Sequence, residues 1–177
     1  MTSVTNAPRL TAATAEQLAA RLFDVRGQAT PLPSERDQNF RIDAADGRAF
    51  VLKIANPAED RAMLEAENAT MRHLASTGLV PTLVATRTSG DIAMHEQYFV
   101  RLVTVLPGRP LANVRRHTDA LLADLGRAVG RMDRALASFD HPAIHREFYW
   151  DLATAPALID RHLPRVTGAQ MLSLIHI

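Results

Sequence analysis

The sequence predicts an α+β fold built on an antiparallel sheet. Three observations carry this. Apolar alternation of period two marks several short strands, joined by turn signals of hairpin length. A single helical segment interrupts the strands. A long helix with a wide apolar stripe follows them. Strands joined by hairpins around one helix give an antiparallel arrangement, not a doubly wound parallel one.

Residues 1 to 13 are small and polar and read as a loose terminus. Thr14-Ala15-Glu16-Gln17 is a capping box, and Leu18, Leu22 and Phe23 follow at helical spacing. Gly27 to Pro33 holds two prolines and reads as a loop or irregular strand. A hairpin comes next. Phe40 and Ile42 share one face of its first strand, and Asp46-Gly47 marks its turn. In the return strand, Ala49 to Ile54, Phe50, Leu52 and Ile54 face one way and Val51 and Lys53 the other. Asn56-Pro57-Ala58-Glu59 reads as a helix start, with the helix running to about Ser76 and ended by Gly78. Strands are expected at Leu79 to Ala85, Ile92 to His95 and Tyr98 to Leu106, the last ended by Pro107-Gly108. From about His117 to Phe139 a stripe of Leu121, Leu125, Val129, Met132, Leu136 and Phe139 makes a long helix. One more helix start follows Trp150-Asp151.

Composition excludes several functions. An apolar fraction of 47% with 22% charged residues is that of a globular protein. The net charge of +1 implies no polyanionic partner, and the arginines are spread along the chain, so nucleic-acid binding is not expected. Without cysteine there are no disulfides and no thiolate metal sites. No apolar run reaches membrane-spanning length and no signal-peptide core opens the chain, so a cytoplasmic location is expected.

Lys53 is the only lysine, against nineteen arginines. An ammonium kept on an apolar strand must be paired or serve a ligand, because an unpaired buried charge is prohibitive. In the following helix Met63, Glu67, Met71 and Leu74 share one sector, which places a carboxylate inside an apolar stripe. The economical expectation is a Lys53–Glu67 ion pair, which either ties helix to sheet or orients the lysine toward phosphates. Val51 shares the Lys53 face and would roof a nucleotide base. The stretch from Ser34 to Phe40 has no Gly-x-Gly, yet small polar side chains there could present donors to phosphate.

Together these pieces resemble the aminoglycoside phosphotransferase-like small-molecule kinases, a branch of the protein-kinase fold, from roughly Leu22 to Asp160. The hydroxylysine kinase branch is the most similar. The strings that carry the resemblance are Ser34-Glu35-Arg36-Asp37-Gln38-Asn39-Phe40, Val51 through Glu59, Leu106-Pro107-Gly108-Arg109-Pro110-Leu111 and Trp150-Asp151-Leu152. The resemblance implies a protein-kinase-like N-lobe over 26–106, preceded by a tail and helix over 1–25. A hinge linker and an incomplete C-lobe would follow over 107–171. It implies Lys53 as the phosphate-binding lysine and Glu67 as its helix partner. Ser34, Arg36, Asp37, Gln38 and Asn39 would lie over the phosphates. Val51 would lie against the base, and Val103, Thr104, Val105 and Leu106 would form the hinge that reads the purine. ATP or GTP with Mg2+ is the implied cofactor, and a hydroxyl of a small metabolite the acceptor: hydroxylysine or another amino alcohol, alternatively homoserine, choline or an aminoglycoside. A fused aminotransferase-like domain in the parent protein is a further implication.

The family's catalytic string, His-x-Asp with asparagine five residues after the aspartate, does not occur. His145-Arg146-Glu147 has glutamate in place of aspartate and Leu152 in place of asparagine. His141 and His145 are separated by Pro142 and lack a third ligand, so a surface loop is expected there, not a metal pair. Leu172 to Ile177 match the translation of a common sequencing adapter, so the chain is expected to leave its parent's sequence at about Met171. Such a fragment is expected to be inactive. A non-catalytic nucleotide-binding module is the alternative of a different class.

Overall fold

The computed structural model describes residues 7–146 and 151–165. They lie in two compact units, Met1–Ala143 and Ile144–Ile177. Glu147 to Trp150 and the terminal string Leu172 to Ile177 fall outside the described residues.

The first unit begins with helix α1, Ala12–Phe23. Its N-cap is Thr11, whose hydroxyl accepts from the Thr14 N–H at 3.1 Å, so the helix starts before the predicted capping box. Glu16 is not a capping residue. Its carboxylate accepts from the Ala29 N–H at 2.9 Å and ties α1 to the first strand.

That strand, β1 (Gly27–Leu32), is the segment predicted as loop or irregular strand. It pairs antiparallel with β2 (Gln38–Ala44), and β2 with β3 (Ala49–Ile54). Pro31 is tolerated because β1 is an edge strand, where a missing N–H breaks no second ladder. Gly47, with φ +85°, closes the β2–β3 turn as its Asp-Gly signal predicts.

Asn56 to Glu59 form a turn, not the first turn of the helix. Helix α2 runs Arg61–His73, capped by the Asp60 carboxylate on the Ala62 N–H. A short 3-10 turn at Ala75–Thr77 then ends at Gly78, with φ +67°. Strands β4 (Leu83–Val84) and β5 (Ala93–His95) are shorter than their apolar runs suggest. Both pair with β6 (Tyr98–Thr104), giving the order β1-β2-β3-β6-β4 with β5 beside β6, all antiparallel. The long helix α3 is Asp119–Leu136, capped by Thr118. In the second unit, Asp151 caps a 3-10 turn that leads into α4, Ala155–His162.

The core lies on one face of the sheet. Phe40, Ile42, Phe50, Leu52, Ile54, Val100 and Leu102 pack there with Ala15, Leu18, Ala19 and Phe23 of α1. Strict alternation along β3 therefore sends Val51 and Lys53 to the other face, as predicted. Among the described residues no helix is long and apolar enough to cross a membrane.

Candidate functional site

The sheet face opposite α1 carries two adjacent rows of side chains, set by strand register. Antiparallel pairing puts Asn39 of β2, Lys53 of β3 and Arg101 of β6 side by side in one row. The next row reads Arg41, Val51, Val103 and Leu83 across β2, β3, β6 and β4. The second row offers an apolar floor of Val51, Val103 and Leu83, while the first offers amide and cationic groups. Arg41 at the edge of the apolar row is held by Asp43, with Nε–O distances of 2.8 and 3.1 Å. The hydrogen bond to Asp43, and then its charge, raise the guanidinium above its usual range.

The predicted Lys53–Glu67 ion pair is not formed. Among the described residues Lys53 has no carboxylate within 4.0 Å, and Glu67 binds Arg101 instead at 2.5 Å. Glu67 is also not a buried carboxylate, since its side chain is 46% exposed. The inward face of α2 is carried by Leu64, Ala66 and Asn68. The buried charge is Arg101, 2% exposed, which donates to the Leu64 carbonyl at 3.3 Å and Asn68 Oδ1 at 2.8 Å as well as to Glu67. A guanidinium can be buried this way because its rigid fork reaches three acceptors at once. Sequence reasoning missed Arg101. The available signal was a lone charge in the otherwise apolar middle of Tyr98 to Leu106.

Of the five residues expected over the phosphates, Ser34, Arg36 and Asp37 lie in the connection between β1 and β2, and Gln38 and Asn39 open β2 itself. Most of their side chains are already engaged. Gln38 exchanges two hydrogen bonds with the Leu10 backbone at 2.7 and 2.9 Å, which orders part of the terminus predicted to be loose. Arg36 meets Glu59 at 3.4 Å. The Asp37 carboxylate accepts from the Asn56 N–H at 3.0 Å, and Asn56 Nδ2 donates to the Arg36 carbonyl at 3.1 Å. Asn56 is therefore the anchor of this loop and not a helix cap. Ser34 accepts from Asn39 Nδ2 at 3.1 Å, while the buried Asn39 Oδ1 has no partner among the described residues. At the predicted hinge, the Thr104 N–H goes to Thr82 O and the Val105 N–H to Ala49 O, both at 2.9 Å. Those two donors are committed to the sheet. Of the predicted hinge residues, Leu106 lies past the end of β6 and is 43% exposed. Among the described residues no group of three or more His, Asp or Glu is placed to hold a metal ion.

The fold of this chain has counterparts of known structure. An amicoumacin kinase solved with AMP-PNP and Ca2+ superposes over 81% of this chain and 46% of its own, with TM-score 0.64 and 20% identity. A spectinomycin phosphotransferase solved with ADP and spectinomycin gives TM-score 0.54 at 10% identity, over 89% of this chain and 55% of its own. Among curated sequences, mouse (Mus musculus) hydroxylysine kinase is 34% identical over 175 residues, covering 85% of this chain and 46% of its own length. The cattle (Bos taurus) hydroxylysine kinase is 32% identical over 180 residues, covering 88% and 47%. The chain thus spans about half the length of the curated relatives it matches. Residues 28–172 match the phosphotransferase enzyme family, a span that runs from β1 to beyond the last described helix, and the chain belongs to that family.

Proposed function

We propose that this chain provides the nucleotide-binding face of a kinase that phosphorylates a hydroxyl of a small metabolite. The observation that carries the reading is the placement of Lys53. It stands beside the Val51–Val103–Leu83 strip and directly opposite Asn39, with its charge not neutralised by any described carboxylate. A flat purine fits an apolar strip, and an ammonium one residue row away fits its phosphates. Val51, Val103 and Leu83 contact the base in this proposal, and Leu106 offers the hinge N–H. The Ser34–Asn39 loop supplies backbone N–H groups and the Ser34 hydroxyl over the phosphates. Its other side chains serve mainly to hold the loop in place.

The nucleotide is ATP or GTP with Mg2+, and the proposal assigns no metal ligand among the described residues. Bound metal would screen phosphate charge; this chain's own contribution is to bind and orient the nucleotide. In the overall reaction the γ-phosphoryl P–O bond to the nucleoside diphosphate breaks and a new P–O bond to the acceptor hydroxyl forms. The hydroxyl proton leaves to a base outside the groups assigned here. The hydroxylysine kinases among the relatives favour an amino-alcohol acceptor such as hydroxylysine. The proposal includes a cytoplasmic setting, no nucleic-acid or membrane partner, and a parent protein compatible with a fused aminotransferase-like domain.

The test is a titration of the isotopically labelled chain with ATP and GTP, with and without Mg2+, followed by valine-methyl NMR. Val51 and Val103 methyl shifts that saturate support the reading. Shifts confined to other valines contradict it. The purified chain is expected to bind without turnover, and phosphate transfer to hydroxylysine would overturn that part.

A further inference from the structure

We infer that Arg101 is a positioning residue of the phosphate site: by holding the Glu67 carboxylate, it leaves the Lys53 ammonium to an anionic ligand. This rests on the nucleotide reading above and extends it to a residue with no predicted role.

Three observations support it. Lys53 and Arg101 are register partners across β3 and β6, so two cations face each other on the same side of the sheet. Like charges directly opposite are unfavourable unless one is compensated. Arg101 is the compensated one: it is almost fully buried, with Glu67, Asn68 and the Leu64 carbonyl as acceptors. Finally, the Glu67 side chain is 46% exposed and has a single ion-pair partner among the described residues. Moving that carboxylate to Lys53 would leave a buried guanidinium with neutral acceptors only, which is strongly unfavourable. The cheaper arrangement keeps Glu67 on Arg101. Lys53, Arg101 and Glu67 together then carry one uncompensated positive charge, located at Lys53, which a phosphate would neutralise.

The test compares ATP with adenosine, because only ATP reports on the phosphate site. The chain and its Arg101→Met, Glu67→Gln and doubly substituted forms are titrated with each ligand by calorimetry at low ionic strength. In the unsubstituted chain ATP should bind more tightly than adenosine. Arg101→Met frees Glu67 to engage Lys53, and the ATP preference should fall about tenfold while adenosine affinity holds. Adding Glu67→Gln should restore the preference, which a merely structural role for Arg101 would not do. Glu67→Gln alone should keep it; if Arg101→Met fails to fold, Arg101→Lys, which retains a cation beside Glu67, is read in its place, and a tenfold loss of the ATP preference there overturns the inference. A tenfold loss in Glu67→Gln, or an ATP preference untouched by Arg101→Met, overturns the inference while leaving the nucleotide reading intact. No ATP preference in the unsubstituted chain overturns both.

Discussion

Replacing Asn56 with alanine should loosen the β1–β2 loop and destabilise the whole first unit. Asn56 is 1% exposed, and its side chain makes two hydrogen bonds, from Nδ2 to the Arg36 carbonyl at 3.1 Å and to Oδ1 from the Ala58 N–H at 3.0 Å. Each such bond contributes about 1 kcal/mol net, and a buried partner left unpaired costs about 1–3 kcal/mol. The Arg36 Nε is already buried without a partner among the described residues, so this region has few spare groups for re-pairing. The expected loss is therefore about 2–4 kcal/mol. At about 2–4 °C per kcal/mol for a domain of this size, Tm should fall by roughly 10 °C. Urea denaturation followed by circular dichroism gives the free energy. Hydrogen exchange gives the location, since the Ala58 amide and the amides of residues 34–38 should lose protection first. Asn56→Asp keeps the acceptor for Ala58 but loses the donor to Arg36, so it should fall between the two. A loss below about 0.5 kcal/mol with unchanged loop exchange would refute the claim that Asn56 anchors the loop.

Three further outcomes are expected. Gly27→Ala should destabilise by about 1–3 kcal/mol, because a Cβ there would lie 2.4 Å from the Asp43 carbonyl oxygen; an unchanged denaturation midpoint would contradict the β1–β2 register. The Arg48 side-chain and backbone hydrogen bonds hold the exposed Asp46 carboxyl below its usual range. Its folded pKa being depressed, its small stabilising contribution is present above about pH 4 and is lost as pH falls through the folded value. An NMR titration of Asp46 with a midpoint at or above the usual aspartate value would contradict this. Leu122, Leu125 and Val129 of α3 are 49%, 43% and 49% exposed, at spacings that place them on one strip. That strip should drive concentration-dependent self-association, reduced by Leu125→Gln with Val129→Gln, and a clean monomer by light scattering at high concentration would count against it.

Features governed by local chemistry were legible in the sequence. The period-two pattern of Phe50, Leu52 and Ile54 assigned faces in β3, and Asp46-Gly47 placed the turn. The position of Lys53 on the open face followed directly. Features governed by long-range competition were not. Asn56 has every local mark of a helix cap, but its side chain serves the Arg36 carbonyl, twenty residues away, and Asp60 caps the helix instead. Residues 27–32 lack a clear strand pattern because Pro31 interrupts it, and only pairing with β2 makes it a strand. Glu67 was assigned to Lys53 because the nearest earlier strand carries that cation. The actual partner comes from β6, thirty-four residues later, a neighbour decided by the strand order β3-β6. The stripe of helix α3 marks a wide apolar face, yet none of its residues is buried among the described ones. A stripe reports only that a face is apolar, not what covers it.

The central claim is that Lys53 binds nucleotide phosphates on the open face of the sheet. Its most direct test is an ATP titration of the chain and of Lys53→Met, with thermal unfolding recorded for both. Removing a cation that faces Arg101 should leave Tm unchanged or slightly higher, while ATP binding falls at least about tenfold. A variant that folds as well and binds ATP as tightly as the unsubstituted chain would contradict the account.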